Sequence, residues 1–177
     1  TKPRYFKAVL GACIKNYVAD VSDGNNRYIS GNVLTGTKIK PDGYLGFYDT
    51  QVTVIPEGDK DEFFGWIAPG FDKFSVSKAL ASWMMPNKKH ALDTGMHGEE
   101  RAFVVTGEHE KVFPFDIYPV QLLKSIMIKD IEAMENLGIY EVTEEDLALC
   151  EVICTSKIPV QQTLREGLDL MLQELGD

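Results

Sequence analysis

Short stretches with strand-like spacing of apolar residues fill the first sixty residues, and helical spacing takes over after Asp116. Tyr5 to Val9 reads as a strand ending at Gly11, and Ile14, Tyr17, Val18 and Val21 then fall at helix spacing. Asp23-Gly24-Asn25-Asn26 is turn chemistry, and Arg27 to Ser30 reads as a second strand before Gly31. Tyr44 to Phe47 and Gln51 to Ile55 suggest two more. In the latter, Val52 and Val54 alternate with Gln51 and Thr53 until Pro56 stops the run. Four short strands around one helix predict a small mixed sheet with a packed helix, a count that fits a β-grasp-like module.

Residues 58–117 are rich in Gly, Pro and aromatics. Ser75 is placed to cap a short helix over VSKALASWMM before Pro86, and strands are expected near Phe63 to Ile67 and Phe103 to Thr106. Beyond Asp116 the signals are helical. Pro119 suits a first turn ahead of VQLLKSIMI, Asp130 can cap IEAMENL, and Gly138 suits the left-handed residue that ends it. Thr143 starts another helix, with Glu144 and Glu145 at the positive end of its dipole and Asp146 reaching back as in a capping box. Val142 and Leu147 are spaced as a hydrophobic staple. A last helix is expected from about Pro159 to Leu175, with Leu164, Leu168, Met171, Leu172 and Leu175 as its apolar stripe. The fold class is therefore α+β, with a β-grasp-like domain over residues 1–115 and an acidic helical bundle over 116–177.

The net charge of −9 is unevenly placed: residues 1–60 sum to +2, 61–115 to −2, and 116–177 to −9. An acidic third without clustered Lys or Arg argues against nucleic acid as a partner. No apolar run approaches the roughly 18 to 20 residues of a membrane helix. Three cysteines without a scaffold spacing fit a reducing compartment. The chain opens on Thr1 and reads as part of something longer.

Cys150 and Cys154 share a helix face in LALCEVIC. A structural zinc or an iron–sulfur cluster needs four ligands, and only Cys13 remains. His90, His97 and His109 show no ligand spacing. Two buried small hydrophobes are therefore the favoured reading of the pair, with a small metal or redox module as the alternative. HGEER at 97–101 reads as a solvated loop rather than an acid–base site, because no nucleophile with a partner lies nearby. No phosphate-cradling glycine motif occurs. The aromatic run Phe63, Phe64, Trp66, Phe71 and Phe74, with Trp83, Met84 and Met85 beyond, is assigned mainly to sheet core, and a docking or quinone-contacting surface is the competing reading.

RYISGNVLTGTKI, FFGWIAPGFDKFSV, EKVFPFDIYP, EEDLALCEVICTSK and LREGLDL together resemble one family, the A subunits of bacterial sodium-translocating NADH:quinone oxidoreductases. The resemblance runs in order through essentially all 177 residues and matches the C-terminal part of such a protein. It implies a soluble-ligand-binding β-grasp (SLBB-type) domain followed by a helical domain, peripheral on the cytoplasmic face of the bacterial inner membrane. It implies as partners the other subunits of the complex, chiefly a membrane subunit, with quinone near this end. NADH, flavins, iron centres and Na+ belong to the whole complex, and no catalytic residue, metal or cofactor is expected in this part. Cluster-bearing relatives carry C-x2-C-x2-C in the helical domain, whereas only Cys150 and Cys154 stand here, so a cluster is not carried over. A ligand site on the β-grasp domain is sought around Gly31, Gly36, Tyr44 and Phe47, and an interface around Phe63, Phe64, Trp66, Trp83 and Met84.

Overall fold

The structure, a computed structural model, describes residues 5–18, 24–59, 64–65, 67–76 and 78–176. The chain divides into two compact units, Thr1–Met96 and His97–Asp177.

In the first unit, β1 (Asn26–Ser30) is the centre of a three-stranded antiparallel sheet, flanked by β2 (Thr37–Ile39) and β3 (Val52–Pro56). The register pairs Tyr28 with Ile39 on one side and with Val54 on the other. The one-turn helix α1 (Lys15–Val18) precedes it. Charge clamps one end of the sheet: the Glu57 carboxylate, just past β3, accepts both Arg27 Nε and Nη2 at 2.8 Å from β1 and Lys38 Nζ at 3.1 Å from β2. Among the described residues the buried apolar side chains here are Ile14 and Ile29.

Several expectations are corrected. Among the described residues Tyr5 to Val9 forms no strand, and Tyr5, Phe6 and Val9 stand exposed. Tyr44 to Phe47 contributes only an isolated bridge from Tyr44 to Cys13. The helix expected after Ser75 shrinks to a 3-10 turn at Ala81–Met84, flanked by an extended Leu80. Phe103 to Thr106 has no strand partner among the described residues. Val21 and two residues of the Phe63 to Ile67 run lie outside the described residues, and Phe64, Gly65 and Ile67 form a turn.

The second unit is helical: α2 (Pro119–Met127), α3 (Ile131–Asn136), α4 (Ala148–Ile153) and α5 (Val160–Gly176). Its punctuation follows the residues that announced it. Pro119 opens α2, the Asp130 carboxylate accepts Ala133 N at 3.0 Å, and Gly138 takes the left-handed conformation (φ 84°) that ends α3. Asp146 accepts both the backbone N–H and the hydroxyl of Thr143, at 2.9 and 2.8 Å, at the start of a 3-10 turn that runs into α4. Glu151 on α4 in turn caps α5, accepting Gln161 N at 2.9 Å. The core comprises Leu122, Leu123, Ile126, Met134, Ile139, Val142, Leu147, Cys150, Cys154, Val160, Leu164 and Met171 with their neighbours. The α5 stripe is shifted from the expected one: Val160, Thr163, Leu164, Gly167 and Met171 are buried, whereas Leu172 and Leu175 are exposed. Gly167 faces Ile126 of α2 so closely that a Cβ there would lie 2.8 Å from Ile126 Cγ1.

The unit boundary falls ahead of the expected 115/116 division. Residues 97–115 have no long element, yet Phe113 and His109 are buried, Phe103 packs against the helical core, and Arg101 N donates to Ser156 O at 2.8 Å.

Candidate functional sites

Gly31 and Gly36 are brought together. Gly31 (φ 95°) has room for a Cβ only 3.1 Å from Gly36 Cα and from Asp49 Oδ1, and a Cβ on Gly36 would sit 2.4 Å from Asn32 O. Both positions therefore need glycine, one for its dihedral and one for close backbone approach. Asn32 closes the intervening turn by accepting Leu34 N and Thr35 N at 2.7 and 2.9 Å. Ser30, buried at the end of β1, donates to Asp49 and accepts Gly46 N at 2.8 Å, and Thr53 Oγ1 donates to Gly31 O at 2.8 Å. These bonds pin the loop 44–49 over the end of β1. What the loop presents outward is aromatic: Tyr44, Phe47 and Tyr48 are 69%, 68% and 92% exposed, and the last two pack edge to face at 5.0 Å. Tyr48, next to Phe47, joins this surface, and nothing in its sequence context singled it out.

The interface candidates divide. Phe63 and Trp66 lie outside the described residues. Phe64, Trp83 and Met84 are more than half exposed, and Phe71, Phe74 and Met85 are also exposed, which corrects their assignment to sheet core. The described residues of this segment fold into turns and one 3-10 turn rather than into strands. The HGEER segment is exposed loop, as expected.

The cysteine pair occupies a different setting. Cys150 and Cys154 are 0% and 1% exposed, in the centre of the helical core. Cys150 Sγ donates toward the carbonyl of His109 at 3.7 Å, across 41 residues of sequence. Burial pushes the Cys150 thiol up to about 11, with Glu110 and Cys154 adding to the shift. Burial also raises Cys154, but the His109 imidazole and the backbone of Ile158 and Ser156 outweigh it and leave that thiol below its ordinary value. His109 itself is 1% exposed, lies edge to face on Phe103 at 5.5 Å, and has both ring nitrogens without a hydrogen bond. The ring lies near enough to Cys154 for their charges to couple, yet no hydrogen bond of ordinary geometry forms. Sequence reading passed over His109, because only the fold carries it to the cysteines. His90, by contrast, is half-buried and bonds Asp72 O at 3.2 Å. Among the described residues no group of three His, Cys, Asp or Glu is placed to hold a metal, and no helix is long and apolar enough to cross a membrane.

A family described as "NQRA C-terminal domain" matches residues 1–40. Over nearly the whole chain the sequence is similar to proteins named as the A subunit of Na(+)-translocating NADH-quinone reductase. That of Rhodopirellula baltica is 44% identical over 176 residues, covering 98% of this chain and 39% of the relative. That of Shewanella frigidimarina is 41% identical over 175 residues, and that of Klebsiella pneumoniae strain 342 is 40% identical over 174. The chain thus spans about two fifths of these relatives, 39% in each case.

Proposed function

Since the chain belongs to the family of the A subunits of Na(+)-translocating NADH-quinone reductases, we propose that it is an assembly and quinone-side binding part of that complex. In this reading NADH oxidation, the flavins, the iron centres and sodium movement belong to other subunits. This chain sits at the cytoplasmic face and docks on them, chiefly on a membrane subunit.

The observation that carries the binding role is the aromatic surface of Tyr44, Phe47 and Tyr48 on a loop fixed from beneath by Ser30, Asp49 and Gly46. Exposed rings on a pinned backbone lose little conformational entropy when a flat, apolar-polar ligand stacks on them. Gly31 and Gly36 supply the tight backbone that holds the loop in place. The exposed Phe64, Trp83 and Met84 support a docking role, since buried aromatics and Met are the residues protein interfaces favour.

Titration of the chain with a water-soluble quinone, followed through backbone amide shifts, tests the binding role. Shifts centred on residues 30–36 and 44–49 are expected, and they weaken in Phe47→Ala. A titration that leaves this patch still while other amides move, or that moves none, refutes it.

A further inference from the structure

Helices α2 and α3 meet beside an open groove of about 580 Å³ in the helical unit. Gln121, Lys124, Ser125 and Ile128 line it from α2 at helical spacing, and Ala133 and Leu137 line it from α3 and its C-terminal end, one turn apart. Lys124 and Gln121 are its polar groups, because the Ser125 hydroxyl is engaged in donating to Leu122 O at 2.7 Å. Met127 and Ile128 add apolar surface that is 50% and 73% exposed. We propose that this groove receives an amphipathic helix of another polypeptide, with apolar residues at i, i+3 or i+4 and i+7 filling it and one flanking Asp or Glu pairing with Lys124.

Charge chooses the partner. Residues 116–177 hold thirteen Asp and Glu against four Lys and Arg, yet no carboxylate lies within ion-pair distance of Lys124 among the described residues. The neighbour that Lys124 has is the Phe103 ring, another lining residue, with Nζ 5.9 Å from the ring centroid. Its own helix, PVQLLKSIM, carries no acid to pair with it. A cation left open at an apolar groove is matched by one anion set among apolar side chains. The acidity of the surrounding segment repels a heavily acidic partner or an anionic bilayer, so the complement is a helix with a single carboxylate on this face.

Shape chooses a helix over a small molecule. Ligand pockets enclose most of a small ligand's surface, whereas this groove is open and its apolar lining continues outward at Met127 and Ile128. A covering surface removes those side chains from water, and an inserted small molecule does not. The nine residues of α2 extend about 13 Å, so a helix laid along them meets the groove with about two and a half turns. The groove belongs to the helical unit, whereas Tyr44, Phe47, Phe64 and Trp83 belong to the first, so the proposal stands apart from the quinone-side reading.

The probes are two Ala- and Gln-based helical peptides of about fifteen residues, with Leu at i, i+3, i+4 and i+7 and one Glu on either side of that stripe. Methyl and backbone amide resonances of the full chain are followed as each is added. Saturable shifts at Met127, Ile128, Ala133 and Leu137 are expected with at least one peptide, with residues 44–49 unmoved. Replacing its Glu by Gln is expected to weaken binding about three- to fivefold, the worth of one exposed ion pair, and that ratio falls to about one in Lys124→Gln. Ile128→Gln, at a position exposed enough to spare the fold, is expected to weaken binding at least about threefold. Absence of saturable shifts in the groove overturns the proposal, as does a preference for Glu that survives Lys124→Gln. Dodecanoate below its micelle concentration is the competing probe: movement of the same methyls by dodecanoate and not by the peptides makes the groove a lipid-chain site and overturns the helix.

Discussion

Alanine in place of Gly167 is normally a gain in mid-helix, worth about 1 kcal/mol from propensity and lost unfolded-state freedom. Here it is expected to be a loss. The added Cβ would lie 2.8, 2.9 and 3.0 Å from Cγ1, Cγ2 and Cδ1 of Ile126, where carbon contacts are ordinarily about 3.5–4.0 Å. All three clashing atoms belong to one side chain, but Ile126 is 5% exposed and part of the core, so it has little room to turn away. Overpacking of this kind costs about 1–3 kcal/mol beyond what it gains, so Gly167→Ala is expected to destabilise the helical unit by about 1–3 kcal/mol. Ile126→Ala removes every clashing atom at its own cost of about 2–5 kcal/mol. In that background Gly167→Ala is expected to stabilise by about 1 kcal/mol, a coupling of about 2 kcal/mol or more. Urea unfolding followed by far-UV circular dichroism gives all four corners of the cycle. A stabilising Gly167→Ala in the parent, or a coupling below about 0.5 kcal/mol, would show that α2 and α5 do not meet as described.

Glu57, held by Arg27 and Lys38, titrates at about 2, below its unfolded value. A depressed carboxylate stabilises the fold above its unfolded pKa and loses that contribution as pH falls through its folded one, so the first unit is expected to weaken progressively from about pH 4.5 toward 2. Glu57→Gln should flatten that part of the stability–pH curve, and an unchanged curve would remove Glu57 as its cause. Thiol titration with a bulky disulfide reagent should find Cys13 reactive in the native chain and Cys150 and Cys154 silent until denaturant is added, given their burial. Native reaction at either core cysteine contradicts this packing. Asp146→Ala removes the acceptor of both Thr143 bonds and should lower the stability of the helical unit by about 1 kcal/mol in the same urea assay, with no change in aromatic-loop amide shifts.

What sequence reading recovered was local. Pro119, Asp130, Gly138 and the Thr143–Asp146 pair act on backbone within four residues of themselves, so their signals survive without knowledge of the fold. Strands are different, because a strand exists only where another backbone accepts its hydrogen bonds. Tyr5 to Val9 has the composition without the partner, whereas Thr37–Ile39, with a lysine at its centre, gained strand status only by lying beside Tyr28 to Ser30. The exposed aromatics were misjudged for a related reason: hydrophobicity indicates that a side chain gains from burial, not that this fold supplies a place for it. Of the candidate loop, only the end of β1 at Gly31 was legible in the sequence. The role of Ser30 and Asp49 beneath it was not, since the two meet across 19 residues. The cysteines were correctly expected to be buried, but their polar neighbour was invisible from spacing alone.

Ser156 is stitched to the segment before the helices, its backbone carbonyl accepting Arg101 N and its hydroxyl donating to Ala102 O across 54 residues. With His109 and Phe113 filling the middle of the helical core, this irregular stretch acts as the lid that closes the bundle's apolar interior. A polypeptide started at Asp116, where helical periodicity begins, would keep all four major helices and still uncover Cys150, whose thiol rests against His109. It would be expected to aggregate, while one started at His97 should remain monomeric. The smallest autonomous piece of this unit is thus defined by its least regular residues, and a protease nick within them would loosen the bundle without cutting a single helix.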